Sequence, residues 1–108
     1  MARVVIASSA DADFAEILTD LATKAGWRMA AKYGASFDGL YDRLADHPRA
    51  GAPRPTLGQS IRIGIVSPYI AIYRNEDDGS VTVLRIVHGR RRITGKMLQE
   101  HPPPSGGA

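Results

Sequence analysis

The chain has 108 residues, 44% of them hydrophobic and 23% charged, the size and make-up of one ordinary globular domain with room for a single core. Fourteen Lys and Arg against eleven Asp and Glu leave a formal charge of only +3, too small an excess to mark a nucleic-acid binder by itself. With no cysteine, the chain has no disulfide, no thiolate nucleophile and no cysteine zinc site.

The opening segment MARVVIASSADADF has too short an apolar run for a signal peptide and turns acidic at once, and no window approaches the roughly 18 apolar residues that span a bilayer. The expected location is cytoplasmic. Within that segment RVVIA, residues 3 to 7, is short and β-branched and predicts a strand. Ser8 or Ser9 is then placed to cap a helix, with Asp11 and Asp13 in its first turn to complement the helix dipole. Phe14, Ile17, Leu18, Leu21, Ala22 and Ala25 recur at three- and four-residue steps, and Gly26 supplies the stop.

A second helix is expected from Trp27, with Met29, Tyr33, Phe37, Leu40, Tyr41 and Leu44 on one face and His47-Pro48 ending it. Gly34 and Gly39 each cost about 1 kcal/mol relative to alanine, so irregularity is expected near its middle. Two amphipathic helices joined by a residue or two predict an antiparallel hairpin that covers something else.

Residues 48 to 60, PRAGAPRPTLGQS, predict a loop. The period then falls to two in IRIGIV, YIAIYR and SVTVLRIVH, joined by Ser67-Pro68 and by the turn NEDDG. That pattern predicts an antiparallel meander, with Val81 to Val87 apolar enough on both faces to be a central strand and the first strand beside it. Ile93, Met97 and Leu98 give a short terminal helix an apolar edge. The expected fold is α+β in the order βααβββ, a single domain over residues 1–99, followed by a tail at 100–108 that is disordered by composition.

Several chemistries lack their residues. There is no G-x-S-x-G elbow. His47, His88 and His101 stand far apart without clustered carboxylates, so neither a metal nor a cofactor is expected. GRRRITGKM, residues 89 to 97, is a near miss for a P-loop: five residues separate its glycines instead of four, and Met97 stands where a magnesium-binding hydroxyl belongs. Arg85 lies in an otherwise apolar strand, where an unpaired charge is costly. It either meets a carboxylate, the plainer expectation, or opens into a partner's groove. For His88 the plain reading is a strand-end residue bonded to backbone.

A short strand, a helical hairpin opening in SSADADFAEI and closing in LADHPRAG, a loop, and strands ending in VLRIVHGRRR together resemble the ParE branch of the RelE/ParE toxin superfamily, over Arg3 to about Gln99. The resemblance implies the toxin of a bacterial type II toxin–antitoxin module, of the kind tied to plasmid stabilization. It implies an acidic ParD-like antitoxin in a hetero-oligomer and DNA gyrase as target, with neither a membrane nor a specific nucleic-acid sequence as partner.

RelE-like members are ribosome-dependent mRNA endoribonucleases, which need a proton acceptor, a proton donor and cations on the phosphate. Ile61, Ile63, Ile70 and Met97 stand at the corresponding positions here; only Arg91 matches, and Arg62 joins it if the register slips by one. The reading therefore favours a protein-binding inhibitor with no catalytic residue over an enzyme. A member that keeps its antitoxin but has lost toxicity is a third alternative.

Arg90, Arg91, Arg92 and Lys96 place four cations within seven residues, inside the Debye length of about 8 Å. With His88, Ile93 and Met97 they form the expected target-docking set, since arginine beside apolar anchors is common at interface hot spots. The alternative is pairing with Asp11, Asp13, Glu16 and Asp20 on the first helix. Trp27, Tyr33, Phe37, Arg62, Tyr69, Arg74 and Arg85 are the expected antitoxin contacts, although an aromatic stripe at helical spacing is core by default. A hairpin covers only one sheet face, so the other is expected to need an antitoxin segment.

Overall fold

The computed structural model describes residues 1–99; the expected disordered tail at 100–108 lies outside the described residues. The elements in chain order are β1 (Val4–Ile6), α1 (Ser8–Ala25), α2 (Trp27–Asp46), β2 (Ala52–Pro53), β3 (Ile61–Val66), β4 (Tyr69–Asn75), β5 (Val81–His88) and α3 (Gly95–Gln99). They build one sheet in the order β1-β5-β4-β3-β2. The β3–β4–β5 meander is antiparallel, and β1 lies parallel to β5. This is the expected α+β layout, with β5 central.

Gly26 alone joins the two helices, and its φ of 92° lies where only glycine sits without strain. α2 is one unbroken helix, against the expectation of irregularity at Gly34 and Gly39. Phe37, Leu40 and Leu44 are buried along it, and burial worth roughly 2 kcal/mol per side chain outweighs two glycines. They pack with Phe14 and Ile17 of α1 against Val66, Ala71, Tyr73, Val81, Val83 and Ile86 of the sheet. Phe14 and Phe37 meet edge to face at 5.3 Å.

The β4–β5 ladder has a register shift between Ile72 and Tyr73: Ile72 faces Arg85 while Tyr73 faces Val83, which leaves Leu84 unpaired. The irregularity switches parity, so that Val83 and Ile86 both meet the helices while Leu84 and Val87 turn to the far face.

That far face is not left for a partner. Ile61, Ile63, Ile72 and Val87 are covered by Met97, which is 5% exposed, with Leu57, Ile93 and Leu98 around it. The chain's own 57 loop and α3 region supply the cover expected from an antitoxin. Ile65, 62% exposed, remains outside it.

β2 interrupts the predicted loop. Tyr73, fully buried, reaches across so that Gly51 donates its N–H to the phenol oxygen at 2.8 Å. A Cβ at Gly51 would collide with the Ile63 carbonyl oxygen and the Tyr73 ring, so only glycine lets the chain pass here. Two residues then pair with β3.

β1 is shorter than the central strand it lies on, and the start of α1 takes over where it ends. Ala7 donates its N–H to the Val83 carbonyl at 2.9 Å, and the Ser9 hydroxyl donates to the Leu84 carbonyl at 2.7 Å. The Ile86 N–H then donates to the Asp13 carboxylate, also at 2.9 Å. Ser9 and Asp13 thus bond to a strand rather than acting as the predicted cap and dipole partner; the N-cap is Ala7, without a side-chain bond.

Candidate functional site

β5 ends at His88, and the arginine run begins as the chain leaves the sheet. His88 stands opposite Tyr69 in the ladder, and the two rings meet edge to face at 5.7 Å. Gly89 donates its N–H to the Pro68 carbonyl at 2.7 Å, tying the exit of β5 to the β3–β4 turn. Arg90 N–H donates to His88 Nδ1 at 3.0 Å, and Arg91 N–H to the His88 carbonyl at 2.9 Å. The run therefore starts from a bonded turn on a rigid strand. His88 is bonded to backbone at the strand end, as its plain reading had it.

Arg90, Arg91 and Arg92 are exposed, and among the described residues none of their guanidinium groups makes an ion pair. Two of the four acids proposed as internal partners are used elsewhere. Asp13 binds Arg85 at 2.7 Å and Asp20 binds Lys24 at 3.1 Å. Arg91 does share a cleft of about 380 Å³ with Glu16, Asp20, Tyr69 and His88. Burial pushes the Tyr69 phenol above its ordinary range, with Tyr33 and Asp20 adding to the effect.

The rest of the docking set divides. Ile93 is half-buried and Met97 is buried under the sheet, so these two anchor the segment to the far face. The arginines project from it. Arg62, which a slipped register would have added to the basic residues of the nuclease set, donates to the carbonyls of Arg49 and Gly51 at 3.0 and 2.8 Å.

The expected antitoxin set is dispersed. Phe37 is wholly buried and offers a partner no surface. Tyr33 and Tyr69 are half-buried against each other at 5.6 Å. Arg85 is engaged by Asp13, and Arg74 by Glu76 at 3.0 Å. Trp27 is 71% exposed at the hairpin tip, with the Arg28 guanidinium 5.5 Å from its ring centre. Two further cations, Lys32 and Arg43, line grooves beside β3. Sequence spacing did not single them out, because what distinguishes them is the strand opposite.

Among the described residues no group of His, Cys, Asp and Glu could hold a metal ion, and no helix is long and apolar enough to cross a membrane.

The chain is thus a small sheet with a two-helix cover and an arginine run leaving β5. Residues 4–93 match the family model described as the ParE toxin of the type II toxin-antitoxin system, parDE, and the chain belongs to that family. It is 28% identical over 98 residues to Toxin ParE3 of Caulobacter vibrioides, covering 90% of this chain and 96% of the relative. Among solved structures it is similar to a chain of the chromosomal ParDE TA system from P. aeruginosa, with a TM-score of 0.69 and 22% identity, covering 82% of this chain and 96% of that one. It is also similar to a chain of the toxin-antitoxin complex RelBE2 from Mycobacterium tuberculosis, with a TM-score of 0.58 and 21% identity, covering 81% and 96%. These structural likenesses bear on the fold.

Proposed function

We propose that this ParE-family toxin arrests growth in the cytoplasm by binding DNA gyrase, and that an acidic ParD-like antitoxin neutralises it. The observation that carries the reading is the arginine run, held out from a rigid strand end without an ion pair among the described residues, while Asp13 and Asp20 are engaged elsewhere. Clustered guanidiniums gain from an acidic partner surface, and arginine is a frequent hot-spot residue.

A nuclease mechanism finds no support at the middle strands. Ile61 and Ile63 are buried in an apolar cluster with Met97, and Ile70 packs against it. None of these side chains can move a proton. Binding without catalysis is the simpler account.

Two assays run in parallel test this. Purified chain added to gyrase is expected to inhibit supercoiling, while transcripts on translating ribosomes stay intact. Cleaved transcripts with normal supercoiling would reverse the assignment.

A further inference from the structure

The end of the sheet at which the arginine run begins gathers cations from a second element. Val66 of β3 stands opposite Tyr69 of β4, and Tyr69 opposite His88 of β5, so the β3–β4 turn and the exit of β5 lie at one end. The helical hairpin brings its tip to the same end. Asp20 of α1 shares a cleft with His88 and Arg91, Tyr33 of α2 meets Tyr69 at 5.6 Å, and Lys32 lines a groove with Val66 and Ser67. The residues between, where α1 turns into α2 at Gly26, are thus held at the arginine end of the molecule.

That end is cationic and carries an open aromatic face. Arg28 and Lys32 on the tip and Arg90, Arg91 and Arg92 beyond β5 are exposed, and none makes an ion pair among the described residues. Lys24 does not add to them, because it holds Asp20; Asp13 in turn holds Arg85. Of the acids lining the cleft, Glu16 is then the one without an ion pair among the described residues, so the end keeps a clear positive excess. Trp27, the single tryptophan of the chain, is 71% exposed there, with the Arg28 guanidinium 5.5 Å from its ring centre. Cations that track a phosphate backbone beside an aromatic ring that accepts a base are the working parts of a single-strand binding surface. An acidic protein surface satisfies the arginines but leaves the indole among cations unexplained.

We infer that this end binds an unpaired stretch of DNA, its phosphates against Arg28, Lys32 and Arg90 to Arg92 and one base stacked on Trp27. Such binding has little sequence preference, because phosphates are uniform and every base has a face to stack. The choice of DNA over RNA rests on the gyrase reading above, since that target works on DNA; the rest stands on the chain alone.

The test titrates the full chain with oligothymidylate at several salt concentrations, following Trp27 emission and, for variants, the anisotropy of a labelled strand. With one tryptophan in the chain, quenching reports a base on that ring. Contacts from all five cations predict a slope of log affinity against log salt of about −3.5. Arg28→Gln with Lys32→Gln is expected to flatten it by about 1.4. Trp27→Ala is expected to bind about tenfold more weakly at unchanged slope, and Trp27→Phe, which keeps a stacking face, within about threefold of the wild type. All three positions are exposed, so the melting temperature should hold; should a variant unfold, the wild-type quench and slope decide.

Binding without quenching, or tip variants as tight and as salt-sensitive as the wild type, would overturn the inference and leave the arginines to an acidic protein surface. Oligouridylate bound about tenfold more tightly would make RNA the ligand and overturn the choice of DNA. A chain that inhibits supercoiling but binds no strand sinks this inference alone. One that binds the strand and leaves supercoiling untouched sinks the gyrase reading alone.

Discussion

Asp13 and Arg85, 72 positions apart, are joined by two hydrogen bonds, Arg85 Nε to Asp13 Oδ2 at 2.7 Å and Nη2 to Oδ1 at 3.1 Å. The pair is mostly buried, with 16% and 14% of the two side chains exposed, and the same carboxylate accepts the Ile86 N–H. One side chain therefore neutralises a charge and closes an edge. Asp13→Ala removes two hydrogen bonds from a mostly buried guanidinium and orphans the Ile86 N–H, and is expected to cost about 2 to 3 kcal/mol in urea unfolding. Arg85→Met in the same background should restore part of that loss, and a double-mutant cycle measures the coupling.

Tyr73→Phe removes only the phenol oxygen that Gly51 N–H donates to. The expected loss is about 1 to 2 kcal/mol, with faster hydrogen exchange at the Gly51 amide while β4 and β5 amides stay protected. Uniform loosening of the whole sheet would mean that this bond does not set β2.

Hydrogen bonds from Arg74 and from the Thr82 hydroxyl hold the Glu76 carboxyl below its ordinary range. The folded state binds that proton less readily than the unfolded one, so the contribution is present above the usual carboxylate pKa of about 4 and is lost as pH falls through the folded value. Wild type and Glu76→Gln are expected to differ in stability at neutral pH and converge in acid. At the other end, burial, then Asp38 and Asp11, push Tyr41 from 10.0 up to about 12. Its contribution is present below the unfolded pKa and is lost as pH rises through that window, so Tyr41→Phe should flatten the alkaline limb of the stability curve.

Much of the architecture was legible in local pattern. The period of two marked β3, β4 and β5 close to their observed limits, and the apolar stripes with Gly26 marked the helices. What escaped depends on residues distant in sequence. Ser9 and Asp13 look like helix-start residues, and only β5 lying beside them makes them strand partners. Ala52–Pro53 looks like loop because its pairing depends on Tyr73 anchoring Gly51. The arginine run was legible as a cluster; that Asp13 and Asp20 of α1 turn to Arg85 and Lys24 instead was not.

Arginines and anchors can be separated by mutation. Arg90→Ala, Arg91→Ala and Arg92→Ala together remove exposed groups that make no ion pair among the described residues, so the melting temperature should hold while half-inhibition of supercoiling requires about a hundredfold more protein. Met97→Ala takes a buried side chain from the far-face cluster and is expected to cost about 2 kcal/mol of stability. Undiminished inhibition by the triple variant would remove the arginines from the docking surface.

The pairing of Val4 with Val81 has a consequence for how the molecule is made. β1, β4 and the start of α1 all bond to β5, so a nascent chain has nothing to close its sheet on until the last strand leaves the ribosome. Fragments from interrupted translation lack the central strand and also the arginines that follow it.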